Sequence, residues 1–350
     1  MKRALATFFV ACIAALVVLA AIHHHRLVKQ RQAFDAPSPA TSSGSAVIPS
    51  SASSTTAAES LVDQLPAGAS GLIFVNVAAL RSSSFANELS AINPSSGQDP
   101  AYSEFVRATG FDYTRDLDRA AVALWPQTSA TSVLALAEGR FDRSKITRYA
   151  LRNGRLVKSQ GRDIYEIREQ NSSRLIRFSF LTPDKIALAD GPALSQLLGA
   201  PNLHRLDPQM SARIARVSDA PLYAVFRTQD LPKDLNLDVS RSAELARLLR
   251  SIHAISASGR PSSDNLRFFA SAECDSTLKA IQLSAAFQGL LWMGRAALAD
   301  SKAQQQIGPQ WPALDALLKT ADISHNGHMV ELRVEITPQI LQAAFAAPAK

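Results

Sequence analysis

The rhythm of hydrophobic and polar positions changes twice along the chain. Residues 4–22 run for nineteen positions without a charge, and Thr7 is the one conventionally polar side chain among them. As a helix that run spans roughly 28 Å, about one hydrocarbon core. Its apolar surface is supplied by Ala4, Leu5, Phe8, Phe9, Val10, Ile13, Leu16, Val17, Val18, Leu19 and Ile22. Residues 35–60 then hold nine Ser, three Thr, six Ala and three Pro. Such a stretch buries too little apolar surface to offset its ordering entropy, so 32–60 reads as a flexible tether. From residue 61 onward, short apolar runs alternate with helix-spaced stripes.

Within this body, 71–77 reads as a strand buried on both faces and 78–92 as helical. Residues 101–109 form a helix that places Tyr102, Phe105 and Val106 on one face and stops at Gly110. Strands are expected at 120–125, 132–137, 156–157, 163–168, 175–181 and 186–189, with a helix capped by Asp142 between the second and third. Pro192 opens a further helix, with Leu194, Leu197 and Leu198 facing inward. A similar order follows. A strand at 221–227 precedes a helix carrying Leu245, Leu248, Leu249 and Ile252, and a strand pair follows at 254–257 and 266–272 around Gly259-Arg260-Pro261. Ser276 caps a long helix, a short one covers 311–318, and Asn326-Gly327 signals a hairpin before a strand at 329–336. Thr337-Pro338 caps a last helix carrying Ile340, Leu341, Ala344 and Phe345. The expected class is α+β, with mostly antiparallel sheets, helices on one face and an internal duplication into 61–203 and 204–350.

Charge changes the picture at the amino terminus. Lys2, Arg3, Arg26, Lys29 and Arg31 precede the first acidic residue, Asp35, and account for all but +2 of the +7 net charge. A nucleic-acid binder carries its basic footprint on the folded domain, so no nucleic-acid partner is expected. A cleaved signal peptide competes with a retained anchor for residues 1–31. The long apolar run, followed at once by His23, His24, His25 and Arg26, favours the anchor. Lipidation at Cys12 is disfavoured because the apolar run continues for ten residues beyond it. The expected setting is therefore a single-pass protein of the inner membrane, in contact with the lipid bilayer through residues 4–22. Its body is expected on the extracytoplasmic, periplasmic side, since large domains translocate largely regardless of flanking charge.

Signatures of chemistry are sparse. The sequence has no Gly-x-Ser-x-Gly elbow, phosphate-cradling glycine loop, His-Glu-x-x-His or Cys-x-x-Cys. Beyond the membrane flank, His204, His253, His325 and His328 are the histidines available. His325 and His328 bracket the Asn326-Gly327 turn and are the candidate metal ligands, expected as an opposed cross-strand pair, although zinc needs three or four protein ligands. Asp112, Asp116 and Asp118 lack the spacing of a calcium loop and read as turn and cap residues. No cofactor is expected. The helix over 278–298 has little polar face; core burial is its first reading and a partner-binding surface the second.

Residues 105–112, Asp116-Leu117 and 139–142 (Gly-Arg-Phe-Asp) resemble an uncharacterised bacterial family of membrane-anchored proteins, and the step from Glu273-Cys274 into a long helix is similar to their second half. The resemblance implies a duplicated α+β body with no assigned activity. The functional expectation is a membrane-anchored, non-catalytic binding or scaffold domain with a protein or cell-envelope partner. A membrane-anchored hydrolase with a site assembled from distant residues is the alternative.

Overall fold

The computed structural model describes residues 61–86, 100–126, 131–168, 175–190, 194, 197–198, 206–230, 243–300, 304 and 311–340. The anchor at 1–31, the tether at 32–60 and the boundary at 203/204 lie outside them.

Twelve strands form one fully antiparallel sheet: β1 (Gly71–Asn76), β2 (Leu117–Pro126), β3 (Thr131–Gly139), β4 (Gly154–Ser159), β5 (Arg162–Arg168), β6 (Leu175–Thr182), β7 (Lys185–Asp190), β8 (Leu222–Arg227), β9 (Ile252–Ser262), β10 (Asn265–Cys274), β11 (Asp322–Asn326) and β12 (Met329–Ile336). The described helices are α1 (Val77–Arg81), α2 (Pro100–Thr109), α3 (Tyr113–Asp116), α4 (Arg143–Asn153), α5 (Pro208–Ala215), α6 (Ala243–Leu249), α7 (Thr277–Leu298) and α8 (Trp311–Thr320).

Strand order across the sheet is β11-β12-β10-β9-β8-β1-β2-β3-β7-β6-β5-β4. Read outward from the β1–β8 pair, both directions follow one plan. A first strand leads to a hairpin (β2–β3, β9–β10), then to a helix (α4, α7). A meander follows whose last strand, β7 or β12, returns beside the hairpin. The first direction adds β4 and β5.

Cross-strand partners share a face, so the register assigns each face. One face carries Ile186, Phe178 and Tyr165 under α4, and Phe268, Ala270, Leu332 and Val334 under α6, α7 and α8. The other carries Leu72, Ala121, Ala123, Leu134, Leu136, Ala187, Tyr223 and Val225, packed with Leu61, Leu65, Met210 and Ile214. Helices therefore occupy both faces: α5 lies opposite α7, because β1, β2, β3, β7 and β8 are apolar on both sides and need cover on both. This corrects the expectation of one helical face.

Two boundaries also differ from the sequence reading. Ile252 begins β9 rather than ending the preceding helix, which stops at Leu249. Residues 259–261 lie inside β9, and the turn falls at Ser263-Asp264, with Ser263 at a left-handed φ of 52°. A β-strand accepts Pro261 near its end more readily than the dipeptide pattern suggests.

A candidate binding surface

Helix α7 begins where β10 ends. The Ser276 hydroxyl accepts from the Lys279 amide at 3.3 Å, satisfying one of the orphan donors of the first turn. Just before it, the Cys274 amide donates to the His328 carbonyl at 2.9 Å, and the Asp275 amide to the Ser251 carbonyl at 3.0 Å. The start of the helix is thus fixed by two neighbouring loops.

Ala280, Leu283, Ser284, Phe287, Leu291 and Leu298 are buried against the sheet and its companion helices. Two polar side chains tie the flanks down. Gln288 donates to the Ile323 carbonyl at 2.8 Å. Arg295 donates to the carbonyls of Leu318 and Ala321, each at 2.8 Å, near the end of α8. Those carbonyls lack intrahelical donors, so the guanidinium serves as a side-chain cap.

The opposite side of the helix is apolar as well. Trp292 is 70% exposed, Leu278 63%, Ile281 42% and Met293 39%. Ala285, Gly289 and Ala296 are exposed between them. The helix contains no acidic residue. The sequence pattern favours core burial for this helix; the structure buries one side and leaves the other in solvent. A run of apolar residues carries no period that distinguishes the two sides, and only the position of the sheet does.

The sheet face away from α7 is polar at both ends. Glu273 lies between Arg213 (Nε to Oε2, 3.0 Å) and Arg216 (Nη2 to Oε2, 3.3 Å), and the Arg213 guanidinium holds its carboxyl below the usual range. Glu166 is buried between Arg177 (2.8 Å) and Arg155 (2.7 Å), which lower its carboxyl likewise. Farther along, Ser258, Arg260, Arg267, Phe269, Arg333 and Glu335 line a shallow depression of about 330 Å³. There Arg260 pairs with Asp219, and Arg333 with Glu331. Apart from Arg333 and Glu331, two residues apart on β12, these charges meet across 11 to 60 residues of sequence, so no local motif announces them.

The candidate histidines are not opposed. His325 pairs with Val330 and Asn326 with Met329, which leaves Gly327 and His328 as the two-residue turn; Gly327 has a φ of 56°. The hairpin is present with its turn one residue later than expected, so His325 faces Val330, two residues beyond His328, and the two imidazoles are not the opposed cross-strand pair expected. Among the described residues no group of three or more His, Cys, Asp or Glu could hold a metal ion. His253 instead pairs with Asp275 at 2.7 Å, both well exposed, and His204 lies outside the described residues. Asp112 and Asp142 cap α3 and α4, as their positions suggest. Asp116 is held by Arg115 at 2.8 Å, which lowers its carboxyl. Of the expected membrane-contact residues, all eleven from Ala4 to Ile22 fall outside the described residues. Among the described helices none is long and apolar enough to cross a membrane, α7 included.

No known family profile matches the chain, and no curated protein does. Among solved structures it is similar to TP0453. For crystal form III the identity is 11%, covering 82% of this chain and 98% of that one, with a TM-score of 0.49. Form IV gives 12% identity, 82% and 96% coverage and a TM-score of 0.45. Form I gives 12%, 82% and 96%, and 0.42.

Proposed function

We propose that this chain is a membrane-anchored extracytoplasmic protein whose body is a non-catalytic binding or scaffold domain, and that the outer side of α7 is its contact surface. The observation that carries the reading is the exposure of Trp292, Leu278, Ile281 and Met293 together on one helix. Singly exposed apolar side chains are ordinary on a soluble protein, whereas several large ones exposed on one helix side are often functional. The uncharged run at 4–22 and the Ser-rich segment after it supply the anchor and the tether.

The test uses the full chain with Cys12→Ala and Gln282→Cys. Gln282 is exposed on the outer side of α7, and the buried Cys274 thiol is pushed up to about 11, so it stays largely unreactive at neutral pH. A membrane-impermeant maleimide should reach residue 282 in the purified protein but not in native membranes, where the face is occupied. After extraction in detergent the position should label again. Equal labelling in intact membranes and in purified protein would overturn the reading.

A further inference from the structure

The sheet face away from α7 carries charges in an order that the fold does not ask for. Cross-strand register sets Arg260 of β9 directly opposite Arg267 of β10, with Glu335 of β12 on the other side of Arg267. Two residues along each strand, Ser258, Phe269 and Arg333 form a second row on the same face. Like charges set directly opposite each other destabilise a sheet, so Arg260 beside Arg267 is unfavourable.

The chain relieves this only in part. Asp219 pairs with Arg260, and Glu331 with Arg333 at 2.9 Å. Arg267 makes no side-chain hydrogen bond or ion pair among the described residues. Glu335, although its cross-strand neighbour, accepts instead from the Asn265 Nδ2 at 2.9 Å. The depression of about 330 Å³ therefore holds one unmatched cation and one unmatched anion side by side. Asp322, beyond Arg333 on β11, does not line it.

Ser258 is a separate sign. It is only 6% exposed, flanked across the strands by Tyr223 and Phe269, and it lines the depression. Its hydroxyl has no hydrogen-bond partner among the described residues. Burying a hydroxyl unpaired is unfavourable, and between two aromatic neighbours an apolar side chain would be the stabilising choice.

These groups are complementary to one kind of ligand. The planar fork of a guanidinium matches a carboxylate or a phosphate, and a carboxylate matches an ammonium. A simple anion would meet Glu335, and a simple cation would meet two arginines. A molecule carrying both charges satisfies both ends, with the half-buried Phe269 ring beneath its carbon atoms. The volume lies at the small end of the range for small-molecule sites.

We infer that this depression binds a small zwitterion, with an oxyanion and an ammonium a few atoms apart. The oxyanion sits on Arg267, beside Arg260 and Ser258, and the ammonium on Glu335. The site lies across the sheet from α7 and does not depend on the contact surface there.

Its test is calorimetric titration of the full chain, purified in detergent. L-leucine presents the two charges on one carbon, as a free amino acid does, and phosphoethanolamine presents them as a lipid headgroup does. One of the two should bind with a Kd of about 1 mM or below, and the tighter identifies the source. N-acetyl-L-leucine and L-leucinamide, or inorganic phosphate and ethanolamine, each lack one charge and should bind about tenfold more weakly. Arg267→Gln and Glu335→Gln should each weaken binding about tenfold, whereas Arg148→Gln, on exposed α4, should bind as the wild type does. Arg267→Gln should also raise the Tm by about 1–2 °C, since it removes the like-charge neighbour of Arg260. Opposite signs of this kind separate a lost ligand contact from a damaged fold. Should the Tm fall instead, Ser258→Ala decides: binding weakened about threefold at an unchanged Tm supports the site, and unchanged binding overturns it. Binding of neither zwitterion overturns the inference, as does equal binding of the singly charged controls.

Discussion

Helices α4 and α7 hold the same place in the two directions of the sheet. Each follows a hairpin, precedes a meander and packs on the same sheet face. Their outer sides nevertheless differ. In α4, Ile146 and Ala150 face inward and Tyr149 meets Phe105 of α2 edge-on at 5.4 Å, while Arg143, Ser144, Lys145, Arg148 and Arg152 are exposed, with Leu151 as the exposed apolar exception. In α7 the inward residues are matched by an apolar outer side. The position therefore asks for one apolar stripe and a cap, which α4 supplies in eleven residues. The second apolar side of α7 is additional to what the fold requires, and this excess favours a role in contact.

The comparison can be broken first at the inner side. Leu283→Ala should destabilise the body by about 2–5 kcal/mol, because it empties a fully buried position beneath the helix. Leu278→Ala, on the outer side, should stay within about 0.5 kcal/mol. Chemical denaturation of the purified protein measures both. Equal costs would mean that the outer side is part of the core.

A smaller effect tests the foundation of α7. Glu273 is the penultimate residue of the strand that leads into the helix, and its partner Arg213 is itself buried. Glu273→Gln leaves that guanidinium without its countercharge and should cost about 2–3 kcal/mol at pH 7. Because the folded-state carboxyl is lowered, its contribution is present above the ordinary carboxylate pKa and fades as pH falls through the lower folded value. The wild type should therefore lose more stability between pH 6 and pH 3 than Glu273→Gln does. Parallel losses in urea melts would place the acid sensitivity elsewhere. Glu166 supplies a like device at the far end of the sheet, between Arg177 and Arg155. Arg155 is largely exposed, so Glu166→Gln should cost less, about 1–2 kcal/mol.

A further effect is a gain. Gly289→Ala should stabilise the purified body by up to about 1 kcal/mol, the ordinary glycine penalty in a helix interior. A destabilisation would show that position 289 is crowded within the fold.

Much of this architecture is readable from alternation and caps. Residues 71–77, 163–168 and 186–189 announce strands, and Asp142 and Ser276 mark helix starts, because these signals act over a few residues. What escapes the sequence depends on distance. The cover that α5 gives to the second sheet face follows from which strands end up central, and sequential patterns do not carry strand order. The pairing of His325 turns on a one-residue choice of turn position, which moves its partner from residue 328 to residue 330. Trp292 and Met293 read as core because their neighbours are apolar throughout, and the direction of the sheet decides which of them meet water. The arginine pairs on Glu166 and Glu273 join residues whose meeting only the assembled sheet brings about.

The most direct measurement is a cysteine scan of α7 and α4 in native membranes, in the Cys12→Ala background, read by the rate of labelling with an impermeant maleimide. Positions 278, 282, 285, 289, 292 and 296 of α7 should be protected relative to the purified protein, with the 3.6-residue period of one helix side. Positions 145, 148 and 152 of α4 should label at the same rate in both settings. Free labelling along the outer side of α7 in membranes, indistinguishable from α4, would contradict the account.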